Sequence, residues 1–258
     1  MFIDSHCHLD FPVFDDLASL IHQSQAAGVA EFLVPSTASA SWSDVLALQQ
    51  DYPAIKVALG LHPYFLAHYQ SSDLQRLECC LAQHKVVAVG EIGLDKWPNL
   101  PDYRLQQKVF LAQLAIASSQ SLPVILHARK SEDDLLKLLR QSKFSQGGIV
   151  HAFNGSLEQA KRFIDLGFVL GIGGTVTYPR AQKARRVLQA LDDRDYVLET
   201  DSPDMPICGH QGQINTPLRV LDVAQTVSEL RQQSVLAVAQ NTCANLQRVL
   251  PNWHKVKN

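Results

Sequence analysis

Short apolar stretches alternate with longer amphipathic stretches along the whole chain. The apolar stretches are rich in β-branched residues and have the length of strands. The amphipathic stretches have helical spacing, and two of them, 14–28 and 156–167, end in the glycine that commonly follows a helix. The alternation therefore predicts parallel βαβ units. The eight strand-like stretches are FIDS, EFLVPS, KVALGL, VVAVGEIG, PVILHA, GIVHAF, FVLGIGG and YVLETDS.

Eight βαβ units in a chain of 258 residues match the usual size of a (β/α)₈ barrel. We therefore predict a single α/β domain over residues 1–258, a TIM-type (β/α)₈ barrel, regular or distorted. After the eighth stretch, residues from about 217 to 250 keep a helical pattern, which adds a C-terminal helix to the barrel. An open doubly wound sheet is the alternative architecture.

Composition narrows the classes of function. The net charge of −2 and the isoelectric point of about 6.5 argue against a broad basic face that grips long duplex DNA. The five cysteines form no disulfide framework by their spacing, which is typical of reduced thiols. The N-terminus lacks the pattern of a signal peptide, and no apolar run is long enough to span a bilayer. We expect a cytoplasmic protein with no membrane association and no obligate protein partner.

Polar side chains with metal-binding or phosphate-binding chemistry end most of the strand-like stretches. The active site of a barrel lies at the C-terminal ends of its strands, so these side chains should meet at one mouth. Any one of them alone would suggest an ordinary loop histidine or a solvated carboxylate. Taken together they predict a metal centre. They are His6 and His8 after the first stretch, His62 after the third, Glu91 in the fourth, His127 and Arg129 in the fifth, His151 in the sixth and Asp201 in the eighth.

The number of ligands predicts a dinuclear centre. Six nitrogen and oxygen ligands are too many for one tetrahedral zinc, but they suit two ions about 3.5–4 Å apart that share a bridging carboxylate. Glu91, at the end of the fourth stretch, is the natural bridge. Because four of the ligands are histidines, the set favours Zn²⁺, Mn²⁺ or Fe²⁺ over Mg²⁺, although Mg²⁺ can also support turnover.

Seven motifs resemble those of the TatD-type metal-dependent deoxyribonuclease family, within the amidohydrolase superfamily, and in particular those of its YjjV branch. The resemblance implies divalent-metal-dependent hydrolysis of phosphodiesters, with nucleic acid trimmed from an end. It also implies a division of the ligands: His6, His8 and Asp201 on one metal, His127 and His151 on the second, and Glu91 shared by both. The motifs are DSHCHLD, GLHP, GEIGLD, LHAR, HAFNG, LETDSP and NTCANLQRV.

The sequence departs from the family pattern in loops on the substrate side. Tyr64 stands where many members carry a second histidine, and Lys96 and Trp97 replace an aromatic pair or an aromatic-histidine pair. Residues 204–216 lack the Arg-Asn-Glu-Pro motif expected after the last strand. None of these departures removes a predicted ligand, so the chemistry is predicted and the substrate stays open.

Several further residues have two interpretations each. His62 can contact a phosphate oxygen or protonate a leaving group, or it can be a loop histidine held by the backbone. Arg129 can bind a phosphate with its planar fork, or form a structural ion pair. Trp97 can stack on a base, or cover the barrel rim. Asp4 and Glu199, one layer below the ligands, are candidate acceptors that orient imidazoles, and Asp95 can do the same.

We therefore predict a phosphodiesterase or deoxyribonuclease that acts on the ends of nucleic acid, or on a small phosphodiester. The expected reaction is attack by a metal-bound hydroxide. Asp201 would bind a metal and take the proton, while Arg129 would help to stabilise charge on the phosphate oxygens. The alternative is a small-molecule amidohydrolase or esterase, acting on an amide, lactone or aminoacyl ester with the same centre.

Overall fold

The computed structural model describes residues 1–254 and contains a barrel of eight parallel strands. The strands pair in chain order from β1 to β8, which confirms the predicted barrel. A doubly wound sheet would need a reversal of strand order. The strands are β1 (Phe2–Asp4), β2 (Val29–Pro35), β3 (Ile55–Leu59), β4 (Ala88–Asp95), β5 (Val124–Arg129), β6 (Gly148–Val150), β7 (Phe168–Ile172) and β8 (Tyr196–Leu198).

The barrel closes where β1 and β8 continue as extended chain beyond their regular ladders. The Ser5 N–H donates to the Leu198 carbonyl at 2.9 Å. Two residues further on, Cys7 and Ser202 form an isolated parallel bridge. This seam brings the segment after β1, with its two histidines, beside the segment after β8.

Helices separate the strands, and an additional helix follows the barrel. Side-chain caps mark several helix starts; Ser156 and Gln159, for example, form a complete capping box at the start of α6. The predicted helix over 217–250 is divided at Gln232, whose positive φ of 54° ends one helix. The helices are α1 (Leu17–Ala26), α2 (Trp42–Asp51), α3 (Ser72–Gln83), α4 (Tyr103–Ser119), α5 (Glu132–Gln141), α6 (Leu157–Ile164), α7 (Gln182–Ala190), α8 (Val220–Arg231) and α9 (Val235–Val249).

Two apolar cores follow from the alternation of side chains along the strands. In β2, Leu33 lies among the residues inside the barrel, whereas Phe32 and Val34 pack with the surrounding helices. The inner core also contains residues of α9 and the buried Trp253, which form the floor of the barrel. The Trp253 indole N–H donates to the Glu31 carboxylate at 2.8 Å. The mouth at the opposite ends of the strands is left for polar side chains.

The described part of the chain holds no helix that is both long and apolar enough to cross a membrane. All five cysteines are free thiols, as their spacing predicts. They are Cys7, Cys79, Cys80, Cys208 and Cys243.

Candidate metal centre

The segment after β1 presents His6 and His8 to the same side. Residues two apart in extended chain point the same way, and the two Nε2 atoms lie 3.3 Å apart. Both histidines are buried, at 0% and 6% exposure. The first half of the predicted ligand set is therefore held close together at the mouth.

Glu91 lies between two groups of histidines. Its Oε2 atom is 3.2 Å from Nε2 of His6 and 3.7 Å from Nε2 of His8. Its Oε1 atom is 2.8 Å from Nε2 of His151 and 3.0 Å from Nδ1 of His127. Because each oxygen faces a different group, this carboxylate has the position of a bridging ligand.

His127 is oriented by a carboxylate on the neighbouring strand. Its Nε2 atom lies 2.9 Å from Oδ2 of Asp95, as proposed for Asp95 from the sequence. A carboxylate accepts hydrogen bonds, so Nε2 carries a hydrogen, and in the neutral ring Nδ1 offers a lone pair to the centre. Burial opposes the charged form of His127, but hydrogen bonds with Asp95 and Glu91 outweigh burial and raise its pKa.

His151 follows β6 and completes the second group. Its Nε2 atom lies 3.2 Å from Nδ1 of His127. Glu199 approaches the other nitrogen of His151, but at 3.9 Å it is beyond a hydrogen bond, and it accepts the Ala152 N–H instead. Burial raises the pKa of Glu199 to about 8. The predicted orienting role of Glu199 toward an imidazole is therefore not formed in this conformation.

Asp201 lies just beyond β8, across the seam from the two N-terminal histidines. Its N–H donates to the His6 carbonyl at 2.9 Å. Its Oδ1 atom is 3.5 Å from Nε2 of His6 and 3.6 Å from Nε2 of His8. With 14% of its side chain accessible, Asp201 is the more open carboxylate, since Glu91 has only 2%.

Asp4 does not orient an imidazole, so that hypothesis is wrong. Its Oδ1 accepts the backbone N–H groups of His6 (3.3 Å) and Thr200 (3.0 Å), and its Oδ2 accepts the Thr200 hydroxyl at 2.5 Å. The carboxylate therefore fastens the seam between β1 and β8. Burial raises its pKa to about 7 despite these hydrogen bonds.

His62 lies closer to the centre than its sequence position indicated. Its Nε2 is 3.2 Å from Oε1 of Glu91, and its Nδ1 accepts the Tyr64 N–H at 3.1 Å. Because Nδ1 is an acceptor, a neutral His62 carries its hydrogen on Nε2 and donates it to Glu91. Burial lowers the pKa of His62 to about 4, so the neutral form predominates near pH 7. This arrangement favours His62 as a group that orients the bridging carboxylate.

The spacing of the donor atoms fits a metal ion. Metal bonds of 2.0–2.2 Å in tetrahedral geometry place donor atoms about 3.3–3.6 Å apart. The distances from the nitrogens of His6 and His8 to each other, to Asp201 and to Glu91 lie between 3.2 and 3.7 Å. His6, His8 and Asp201 form one group of donors close enough to share an ion, and His62, Glu91 and His127 form another.

The electrostatics also favour cations at this position. Burial opposes a charge on His8 and on His151, yet nearby carboxylates raise the pKa of His8 to about 9 and that of His151 to about 10. Burial lowers the pKa of His6 to about 4. Burial opposes ionisation of Glu91, but the surrounding histidines hold its pKa well below its usual range. The carboxylates thus need nearby positive charge, which divalent ions supply more effectively than protons.

Arg129 and Trp97 lie together at the rim. The guanidinium carbon is 3.7 Å from the indole centroid. Within residues 1–254, no carboxylate lies within ion-pair distance of Arg129, so the structural ion pair considered from the sequence is not found. The pairing of Asp95 with Arg129 between β4 and β5 could have indicated this contact.

The divergent segment over 204–216 is anchored by a residue that sequence reasoning missed. Asn215 is 2% exposed, and its side-chain amide donates to the carbonyls of Thr200 (2.9 Å) and Asp204 (2.8 Å). The available signal in the sequence was an asparagine two residues before Pro217, in a segment between two regular elements. The loop is therefore tied to the chain on both sides of Asp201.

Comparison with known proteins assigns this chain to a family. The family described as TatD related DNase matches residues 3–251. "Uncharacterized metal-dependent hydrolase YjjV" of Escherichia coli K12 is 45% identical over 243 residues, covering 93% of each chain. An uncharacterized metal-dependent hydrolase of Haemophilus influenzae is 36% identical and covers 95% of this chain and 97% of its own.

Solved structures agree with this placement. The crystal structure of Escherichia coli YjjV, described as a TatD homologue, superposes with a TM-score of 0.94 at 42% identity. The match covers 97% of this chain and 98% of that one. The family match, the identities and the donor cluster lead to the same conclusion: the chain belongs to the TatD family of metal-dependent hydrolases.

Proposed function

We propose that the protein is a divalent-metal-dependent phosphodiesterase that acts on nucleic acid ends, a deoxyribonuclease activity in agreement with the name of its family. The observation that carries this proposal is the position of Glu91. One of its oxygens faces His6 and His8, and the other faces His127 and His151. A carboxylate between two groups of donors is the arrangement expected of a two-metal site for phosphoryl chemistry.

The distances are compatible with the ligand sets that the family resemblance implies. His6, His8 and Asp201 would hold one ion, and His127 and His151 the other, with Glu91 shared. Such ions supply Lewis acidity toward a phosphodiester oxygen and make water more acidic. Mainly imidazole ligands favour Zn²⁺ or Mn²⁺ over Mg²⁺.

The chain's own residues would then divide the remaining work. Asp201 is the more accessible carboxylate, so it is placed to accept the proton of the attacking water. Glu91 is enclosed by imidazoles. It would fix the two groups of ligands at a constant distance from each other. The guanidinium of Arg129, which ends the same strand as His127, would bind a non-bridging phosphate oxygen.

The surroundings support a nucleic-acid end better than a long duplex. The sequence is slightly acidic overall, so a charged substrate must be held locally at the mouth. The free cysteines support the proposed cytoplasmic location, where thiols stay reduced.

The test is hydrolysis by protein stripped of metal and reloaded separately with Zn²⁺, Mn²⁺ and Mg²⁺. Substrates are single-stranded and duplex oligodeoxynucleotides, an oligoribonucleotide, bis(p-nitrophenyl) phosphate, and a panel of amides, lactones and aminoacyl esters. We expect metal-dependent cleavage of phosphodiesters, with mononucleotides released from an end. Glu91→Gln should abolish it, whereas His68→Ala, at an exposed histidine outside the centre, should leave it unchanged.

Two outcomes would contradict the proposal. Hydrolysis of the amide or ester panel, with no phosphodiester cleaved under any metal, would identify a small-molecule amidohydrolase or esterase. Equal phosphodiester cleavage by the wild type and Glu91→Gln would mean that a contaminating nuclease produced the signal.

A further inference from the structure

Trp97 presents an exposed aromatic face at the rim of the mouth. Of the three tryptophans in the chain, Trp42 and Trp253 are 2% and 1% exposed, whereas Trp97 is 46% exposed. The Arg129 guanidinium covers one face of the indole, with 3.7 Å between its carbon and the ring centroid. The accessible surface of Trp97 must therefore come from its opposite face and its edge.

The backbone of Trp97 is linked to the metal centre through one carboxylate. Oδ1 of Asp95 accepts the backbone N–H of Trp97 at 2.8 Å, and Oδ2 lies 2.9 Å from Nε2 of His127. Asp95 is itself 2% exposed. Trp97, two residues past the end of β4, is thus two hydrogen bonds away from a proposed metal ligand.

Arg129 is available for a negatively charged ligand. The neighbouring cation Lys96 is engaged by Asp134 at 2.7 Å, but Arg129 has no ion-pair partner among the described residues. Stacking on an indole uses the face of a guanidinium and leaves its N–H donors, which lie in the plane, free to bind. The pair therefore offers a flat aromatic surface and an oriented phosphate-binding fork side by side.

We propose that Trp97 and Arg129 form a nucleotide subsite, in which an unpaired base stacks on the free face of Trp97 while Arg129 binds a phosphate oxygen. This proposal rests on the proposed phosphodiesterase function and specifies its substrate. A base inside a duplex is already stacked on both sides, so only a terminal base or a base in a single strand can occupy the subsite.

The kinetic test compares a twelve-residue oligothymidylate with the same strand carrying abasic residues at both ends. Base–aromatic stacking is worth enough that Trp97→Ala should raise KM for the base-carrying strand about tenfold. KM for the abasic-ended strand should not change, and Trp97→Phe should retain most of the wild-type affinity. Arg129→Lys should raise KM for both strands, because both carry the phosphate. Leu236→Ala, at an exposed position on α9, is the control.

A binding test works without turnover because Trp97 is the only exposed tryptophan. Deoxyadenosine 5′-monophosphate should quench the wild-type emission, and deoxyribose 5-phosphate, which lacks the base, should not. Trp97→Phe should remove the quenching by the nucleotide. Metal content and thermal midpoint, measured in parallel, should match the wild type.

Each outcome decides between the two proposals. Equal changes in KM for the two strands, or nucleotide quenching that persists in Trp97→Phe, would overturn the subsite while phosphodiesterase activity stands. Base-dependent quenching in a protein that cleaves no phosphodiester would support the subsite and reject the proposed function.

Discussion

Asp95 accepts a hydrogen bond from Nε2 of His127 at 2.9 Å, and this contact decides which nitrogen of His127 faces the centre. With the hydrogen on Nε2, Nδ1 is left as a lone-pair donor 3.0 Å from Glu91. A single carboxylate therefore controls both the tautomer and the orientation of a proposed metal ligand.

Asp95→Asn should weaken metal binding at the His127 side of the centre. The amide must satisfy the Trp97 N–H and the His127 ring with one acceptor and one donor group, so one hydrogen bond is lost. Loss of such an orienting partner lowers metal affinity about 10–100-fold. Elemental analysis after dialysis against limiting metal measures this change. Asp134→Asn, which removes a surface partner of Lys96, should retain the wild-type metal content.

His127→Ala should lower bound metal and activity without unfolding the barrel. The side chain belongs to the polar mouth, and the apolar layers beneath it do not depend on it. We expect fewer equivalents of metal and a thermal midpoint, measured in chelator, close to that of the wild type. An unchanged metal content would show that His127 is not a ligand.

Asp201→Asn should reduce turnover far more than affinity. Asparagine can still offer an oxygen to a metal, but it cannot accept a proton. General-base contributions are about 10²–10⁴-fold, so we expect kcat to fall in that range, while KM changes much less. Steady-state kinetics on fully metallated protein measure both constants. Near-wild-type kcat would remove Asp201 from proton transfer.

Asp4 should make the metal-free protein less stable as pH rises. Burial raises its folded-state pKa to about 7, from 3.8 in an unfolded chain, so the native state holds an extra proton between these values. The stabilisation is complete below pH 3.8 and is lost as pH rises through about 7. The slope is at most about 1.4 kcal/mol per pH unit.

Thermal midpoints of chelated protein between pH 5 and pH 8 test this dependence. Asp4→Asn cannot ionise, so its midpoint should fall less over that interval than that of the wild type. Parallel profiles of the two proteins would mean that Asp4 does not change its protonation state on unfolding.

Trp253→Ala should destabilise the barrel by about 3–5 kcal/mol, the usual cost of emptying a large buried aromatic site. Trp253 is 1% exposed and loses its hydrogen bond to Glu31 in this variant. Urea unfolding measures the change, and Trp253→Phe should recover part of it. An effect below 1 kcal/mol would show that the floor of the barrel repacks freely.

The barrel could be predicted from the sequence because its signals are local. Each of the eight apolar stretches overlaps one strand, and parallel strands in chain order bring their C-terminal ends to one mouth. The closeness of His6, Glu91 and His151 follows from that topology, although their sequence separation is large. Their roles as ligands stay predictions until metal is measured.

The contacts that could not be predicted depend on side-chain rotamers and on the seam. Asp4 and Glu199 share strand faces with ligands. Asp4, however, accepts backbone N–H groups, and Oε1 of Glu199 lies 3.9 Å from Nδ1 of His151, too far for a hydrogen bond. The stacking of Arg129 on Trp97 depends on the twist between neighbouring strands. Periodicity reports which face a residue occupies, and it carries no information on distances of this kind.

Because the floor of the barrel is closed, the site should favour a flexible substrate over a stiff one. Residues of α9 and Trp253 fill the base of the barrel, so a polymer can reach the buried Glu91 and His6 only from the mouth. Duplex DNA, with a persistence length of about 150 base pairs, is too stiff to bend into such a recess, whereas a flexible single strand can enter it. For a nucleic acid, the rate of cleavage should then follow how often an end frays, and it should rise with temperature and with A·T content at the terminus.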